Sequence, residues 1–103
     1  RFVRQRNHLD CGLAVAAMLA GCSIRRALSA DPDPTALHGL WLHEMVRILH
    51  RLTGHVWRIQ RPRLRPLGLA RLSAQWAALL IRPVGRRLGH WVAWDGKRIY
   101  DPE

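Results

Sequence analysis

Lysine is almost absent from this chain, although the chain is strongly basic. Only Lys97 is a lysine among 17 basic residues, so the formal net charge of +10 comes from arginine. A positive surface can attract nucleic acid, anionic lipid or acidic protein. The arginines are scattered and do not follow one helical face, so we do not expect a nucleic-acid partner.

Long apolar runs are also missing. No run reaches the roughly 18 residues that a membrane-spanning helix needs, so we expect no membrane span in this segment. The first ten residues are polar and charged, which is unlike a secretory signal peptide. With 103 residues, of which 49% are hydrophobic, the chain predicts one compact domain over residues 1–103. Because it starts at Arg1 and not at methionine, we expect this domain to be excised from a longer protein.

Cysteine is scarce, and this limits both disulfides and metal sites. Cys11 and Cys22 would lie about 16 Å apart on one helix, whereas a disulfide needs Cα atoms within about 7 Å. We therefore expect two free thiols and a reducing compartment such as the bacterial cytoplasm. There is no Cys-x-x-Cys pair, and His43 and His50 have no third ligand near them, so we expect neither metal nor organic cofactor.

Helices are predicted in the first half of the chain. An Ala-rich helix is expected over 11–20, with Asp10 as its N-cap and Gly21 at its end. Ser23 predicts the cap of a short helical turn. A longer amphipathic helix is expected over 36–52, starting at a Thr35 cap and ending before Gly54.

Strands are predicted in the second half of the chain. They cover 55–60, 76–82, 89–94 and 97–100, and the last two are joined by a two-residue Asp95-Gly96 turn. A proline-punctuated connection over 61–66 and a helical turn over 67–72 are expected between the first two. Helices followed by an antiparallel sheet make an α+β domain. Three tryptophans are expected in the core: Trp41, Trp57 and Trp76.

The first candidate for chemistry is Cys11, at the mouth of the predicted central helix. A helix N-terminus carries partial positive charge and unpaired N–H groups, which lower the pKa of a thiol and make it a nucleophile. Gln5 lies a few positions before it, where its amide could donate to an oxyanion together with the Cys11 backbone N–H.

The second candidate is the predicted hairpin. A two-residue turn at Asp95-Gly96 pairs Trp94 with Lys97, and the same register pairs His90 with Asp101 as cross-strand neighbours. A carboxylate at that distance can orient an imidazole and fix its tautomer. With Cys11 this predicts a Cys–His–Asp constellation for nucleophilic attack on a carbonyl. His8, three residues before the cysteine, is the alternative base.

These motifs resemble those of papain-like cysteine peptidases. The similar features are Gln5 and the Cys11-Gly12 pair leading into an Ala-rich helix, then Gly-His-Trp-Val at 89–92 and Ile-Tyr-Asp-Pro at 99–102. The nearest branch is the bacteriocin-processing peptidases (the C39 family) and its relatives. The resemblance implies a papain-like fold in which the catalytic helix of an N-terminal helical part packs on a small C-terminal antiparallel sheet.

The resemblance also implies roles for four residues. Cys11 would be the nucleophile, His90 the general base and acid, Asp101 its orienter and Gln5 the oxyanion donor. The implied activity is thiol-dependent hydrolysis of an amide bond in a peptide or protein substrate. Two alternatives stay open: a glutamine deamidase or toxin domain of a bacterial secretion system, delivered into a target cell, and a non-catalytic peptide-binding module. A carrier domain, transporter or toxin, could precede residue 1.

Overall fold

The residues that the structure describes form three helices and a three-stranded antiparallel sheet. The computed structural model describes residues 2–6, 11–31, 40–59, 76–81 and 89–103. In chain order the elements are α1 (Cys11–Ala20), α2 (Ile24–Ser29), α3 (Leu42–Thr53), β1 (Ala77–Ile81), β2 (His90–Trp94) and β3 (Ile99–Tyr100). The strand order is β1-β2-β3. The predicted α+β class, with helices first and an antiparallel sheet after them, is confirmed. No helix among these described residues is long and apolar enough to cross a membrane.

Helix α1 is the central element and is buried along nearly its whole length. Every residue from Cys11 to Leu19 is buried, and α1 contacts α2, α3, β1 and β2. Its small side chains make this close packing possible, since Ala14, Ala16 and Ala17 are completely inaccessible to solvent. The helix ends as predicted at Gly21, whose φ of 68° is the left-handed conformation that glycine adopts at low cost.

The caps of the other two helices are local and well defined. Ser23 accepts a hydrogen bond from the Arg26 N–H at 3.1 Å, as predicted for the start of α2. Helix α3 was expected to begin at residue 36, but residues 40 and 41 are not helical and it begins at Leu42. The Glu44 carboxylate accepts the Trp41 N–H at 3.0 Å and stabilises that start. Gly54 ends α3 as predicted, with φ of 73°.

The strand predicted over 55–60 is wrong for residues 55–59, which form no strand. The Thr53 hydroxyl explains the difference, because it accepts hydrogen bonds from the His55 N–H at 3.1 Å and from the Trp57 indole at 3.0 Å. These bonds hold the segment against the end of α3 instead of releasing it to a sheet. Strands β1 and β2 lie where they were predicted. The predicted Asp10 and Thr35 caps and the segments 61–66 and 67–72 lie outside the described residues.

The tryptophans that are buried are not the ones that were predicted to be buried. Trp41 and Trp76 were expected in the core, yet they are 55% and 59% exposed. Trp41 sits at the start of α3 with extended backbone, and Trp76 directly precedes the edge strand β1. Trp57 is half-buried and packs against the core. The core tryptophans are instead Trp91 and Trp94 of the central strand.

The β2–β3 hairpin has a longer turn than predicted. Trp94 pairs with Ile99, not with Lys97, so the register is shifted by two residues. The Asp95 side chain explains the shift, because its Oδ1 accepts the N–H groups of Lys97 and Arg98, both at 2.8 Å. These bonds build a four-residue loop over 95–98. A shift of two residues keeps every side chain on its predicted face of the sheet.

Candidate active site

The Cys11 thiol lies at the first turn of α1, against the central strand. Its side chain is 6% exposed, and its Sγ accepts the backbone N–H of Trp91 at 3.5 Å. Trp91 directly follows His90 in β2. The start of α1 therefore contacts the sheet next to His90, the predicted base. Two regions 80 residues apart in sequence are thereby brought together.

Leu40 packs directly against Gly12, the residue after the cysteine, and the sequence did not indicate this contact. A Cβ on Gly12 would lie 2.8 Å from Cδ1 and 3.0 Å from Cβ of Leu40, so only glycine fits there without displacement. The Leu40 carbonyl in turn accepts the Trp91 indole N–H at 3.0 Å. In the sequence, only Gly12 indicated this contact. A glycine after the cysteine suggests that another part of the chain approaches closely, but it does not identify Leu40 as the residue that does so.

The structure brings His90 and Asp101 into direct contact. His90 Nε2 and Asp101 Oδ1 are 2.7 Å apart, and the His90 side chain is buried. The prediction placed these residues directly opposite each other, which the observed register corrects. Continuing the pairing of Trp94 with Ile99 puts Asp101 opposite Val92, on the diagonal from His90. Diagonal neighbours are still within reach of an imidazole.

Gln5 lies at the same end of the site as Asp101. Its backbone N–H donates to the Pro102 carbonyl at 2.8 Å, which brings the backbone at Gln5 next to the residue that follows Asp101. The side-chain oxygen of Gln5 is buried. The contacts connect the four predicted site residues in steps. His90 contacts Asp101 directly, and Cys11 reaches Trp91, the neighbour of His90. Gln5 is connected to them through the backbone of Pro102.

The electrostatics of the thiol differ from the prediction of an activated cysteine. Burial raises the pKa of the Cys11 thiol above its ordinary value, and the negative charge of Asp101 raises the pKa further. The N–H groups of Trp91, Gly12 and Cys11 itself act in the opposite direction, but the cost of burying a thiolate outweighs them. The helix start alone therefore does not produce a thiolate here.

The imidazole has one nitrogen left for proton transfer. Nε2 is held by Asp101, which leaves Nδ1 as the nitrogen that can accept a proton. Cys11 Sγ accepts the Trp91 N–H, and no hydrogen bond joins it to His90 in the described part of the chain. The alternative base, His8, lies outside the described residues.

A second carboxylate lies close to the same imidazole. Glu103 Oε2 is 3.9 Å from His90 Nε2, so His90, Asp101 and Glu103 offer three possible metal-ligand atoms within 4.8 Å of one another. Both carboxylates are about half exposed, and exposed acidic groups commonly lie together without a metal ion. The arrangement suits an oriented base better than a metal centre.

Other features of the chain lie away from this site. Cys22 is a free, half-buried thiol beyond the other end of α1, as predicted. His50 contacts the His55 carbonyl at 2.9 Å and His43 packs at 5.7 Å from the Trp41 ring. A cavity of about 480 Å³ between α3, residues 55–59 and β1 is lined by neither Cys11 nor His90.

Comparisons with protein-family models, with curated proteins and with solved structures give no match to this chain.

Proposed function

We propose that the protein is a thiol-dependent amide hydrolase, and specifically a peptidase of the papain-like type near the bacteriocin-processing branch. The single observation behind the proposal is the 2.7 Å contact of His90 with Asp101 beside a cysteine at a helix start. Each part alone is common, but a nucleophile, a base and an orienting carboxylate in one place form a functional unit.

The proposed reaction begins with proton transfer from the Cys11 thiol to Nδ1 of His90. Sγ then bonds to the substrate carbonyl carbon, and the carbonyl electron pair moves onto oxygen. The Cys11 backbone N–H and the Gln5 amide stabilise that oxyanion. The carbon–nitrogen bond breaks as His90 returns its proton to the leaving amine. Water, deprotonated by His90, then cleaves the thioester and regenerates the thiol.

The raised pKa of Cys11 favours one version of the first step. A thiol that is costly to ionise rests in its neutral form, and His90 deprotonates it as the substrate is attacked. A preformed thiolate–imidazolium pair is the less favourable starting state. Asp101 then acts by stabilising the imidazolium that forms during the step.

The test is turnover of peptides and proteins by the unmodified chain and by two matched cysteine variants. Cys11→Ala should abolish turnover, whereas Cys22→Ala should retain it, and both variants should stay folded by circular dichroism. Mass spectrometry of the products identifies the bond that is hydrolysed. Cleaved chains indicate a peptidase. A gain of about one mass unit without cleavage indicates that the amide acted on is a glutamine side chain, as in the deamidases of toxin and effector proteins. Undiminished turnover by Cys11→Ala would exclude the proposed function.

A further inference from the structure

The cavity of about 480 Å³ between α3, the segment that follows it and β1 has no part in the proposed reaction. Its floor is almost completely buried and includes Met45, Leu49 and Trp91. Its rim is open and apolar, because Val56 and Ile59 line it and are largely or half exposed. Small-molecule sites are concave and mostly apolar, with volumes of about 300–1,000 Å³. The cavity therefore has the size and the lining of a binding site.

Hydrogen bonds hold two walls of this cavity in place. The Thr53 hydroxyl accepts the His55 N–H at 3.1 Å and the Trp57 indole N–H at 3.0 Å, which fixes the segment after α3. On the sheet side, the Trp91 indole N–H donates to the Leu40 carbonyl at 3.0 Å. The walls are thus ordered before a ligand binds, so binding loses little free energy to ordering them.

The lining offers few polar side-chain atoms to a ligand. The indole N–H groups of Trp57 and Trp91 already donate within the protein. Apart from the exposed Trp76 indole, the other polar side chains of the described lining are His55 and Arg58. A peptide would bring an N–H and a carbonyl for nearly every residue, and burying these groups without partners is unfavourable. A hydrocarbon chain brings none and suits these walls better.

The charge at the rim favours an anionic group on that ligand. Arg58 is exposed and directly precedes the rim residue Ile59. Its guanidinium is always charged, and its planar set of N–H donors matches a carboxylate. None of the described residues that line the cavity is acidic. An apolar ligand with a negative end would therefore meet apolar side chains along its length and a positive charge at its head.

We propose that this cavity binds a single acyl chain that ends in a carboxylate. The hydrocarbon lies over Met45, Leu49 and Trp91, and the carboxylate lies at Arg58. The site includes neither Cys11 nor His90, so it is a binding site beyond the proposed hydrolysis and its test does not need turnover.

The experiment is a titration of the full chain with decanoate below its micelle-forming concentration, followed by tryptophan fluorescence and by calorimetry. Of the five tryptophans, Trp57, Trp76 and Trp91 line the cavity, so their emission should change when it fills. We expect saturable binding of decanoate. Acetate, which has the head group without the chain, should not bind, and decyltrimethylammonium, which reverses the charge, should bind more weakly.

Matched variants separate the contribution of the head group from that of the chain. Arg58→Gln should weaken decanoate binding by about two- to fivefold, the size of an exposed ion pair, and should leave binding of the neutral decanol unchanged. Arg47→Gln is the control, because Arg47 is an exposed residue of α3 that does not line the cavity, and its replacement should change neither ligand.

A second pair of variants tests the apolar rim. Ile59→Ser should weaken the binding of decanoate and of decanol alike, by about fourfold or more, the equivalent of one buried methylene. Ile99→Ser should weaken neither. The two isoleucines are 48% and 49% exposed, but of the two only Ile59 lines the cavity. Because both positions are exposed, circular dichroism should show that both variants stay folded.

Three results would overturn the proposal. The first is no saturable binding of decanoate, which would show that the cavity is not open to a ligand in solution. The second is equal binding of decanoate and decyltrimethylammonium, or an equal loss in Arg47→Gln and Arg58→Gln, which would indicate non-specific adsorption. The third is a dimer in sedimentation velocity that Ile59→Ser dissociates, since this face would then be an interface between copies of the chain. The cysteine variants test the proposed function separately.

Discussion

The thiol of Cys11 shows how burial competes with a helix N-terminus. Burial raises the pKa of Cys11, whereas the N–H groups of Trp91 and Gly12 lower it by a smaller amount. We expect alkylation of Cys11 by iodoacetamide to be slow at pH 7 and to rise only above about pH 9, the pKa of an ordinary thiol, because the pKa of Cys11 is raised above that value. Peptide mapping by mass spectrometry gives the rate at each pH. A rate that is already maximal below pH 7 would show an activated thiolate and contradict this expectation.

Gly12 is the residue whose replacement tests the packing beside the thiol. In Gly12→Ala the new Cβ would meet Leu40 at 2.8 Å, closer than non-bonded carbons approach each other. We expect a loss of about 1–3 kcal/mol in the free energy of unfolding, measured by urea denaturation. The double variant Gly12→Ala/Leu40→Ala should lose less than the sum of the two single variants, because the shortened side chain makes room. Strict additivity would show that Leu40 is not the obstacle.

The sequence was sufficient to predict the helix caps and helix ends that depend only on neighbouring residues. Gly21 and Gly54 end helices, and Ser23 caps one, because these effects involve only the next few residues. Exposure could not be predicted in the same way. Trp41 was expected in the core because tryptophan is apolar, but its burial depends on which side of the domain the start of α3 faces. That is a property of the tertiary packing.

The hairpin is the element on which the sequence prediction was half right. Asp95-Gly96 indicated a turn, and the turn is there, but its length depends on which N–H groups the Asp95 side chain binds. His90 and Asp101 still meet, because a two-residue shift preserves the face. The proximity of Glu103 to His90 was missed because Glu103 lies beyond β3, which ends at Tyr100, where strand pairing does not place side chains.

Asp95 should make the stability of the hairpin pH-dependent. The Arg98 N–H, the Tyr100 hydroxyl and the Lys97 N–H all donate to its carboxylate and lower the pKa of Asp95. The Asp95 carboxylate binds protons less well in the folded state than in the unfolded state. Its contribution to the stability of the folded state is therefore present above about pH 4 and is lost as the pH falls through the pKa of folded Asp95. We expect thermal unfolding to show that Asp95→Asn lowers Tm at pH 7 but not at the acid end of the range.

The matched variant Asp95→Ala separates charge from geometry. Asparagine keeps an Oδ1 that can accept the Lys97 and Arg98 N–H groups, whereas alanine removes every acceptor. Asp95→Ala should therefore be less stable than Asp95→Asn at all pH values. Equal Tm curves for the unmodified chain and Asp95→Asn would show that the carboxylate charge has no part in the loop.

At the scale of the whole molecule, the helices and the sheet meet at the proposed site. Helix α1 packs on β2, and two hydrogen bonds of Trp91 tie that strand to the helical half: the backbone N–H to Cys11 and the indole N–H to Leu40. These contacts join residues far apart in sequence, and no local pattern encodes them. The α+β order could be predicted from periodicity, but the partner of each buried polar group could not.

Trp91→Phe tests whether this connection stabilises the domain as a unit. The aromatic ring is retained, but the Leu40 carbonyl loses its buried donor, and a buried acceptor left without a partner costs about 1–3 kcal/mol. We expect a loss of that size by urea denaturation, with one cooperative transition, because the lost bond spans both halves of the structure. Trp76→Phe is the matched control, since that tryptophan is 59% exposed and its replacement should change stability little. If Trp91→Phe were as stable as the control, the indole hydrogen bond would not be what holds Leu40 against the sheet. Apolar packing alone would then have to account for the position of Leu40 beside Gly12.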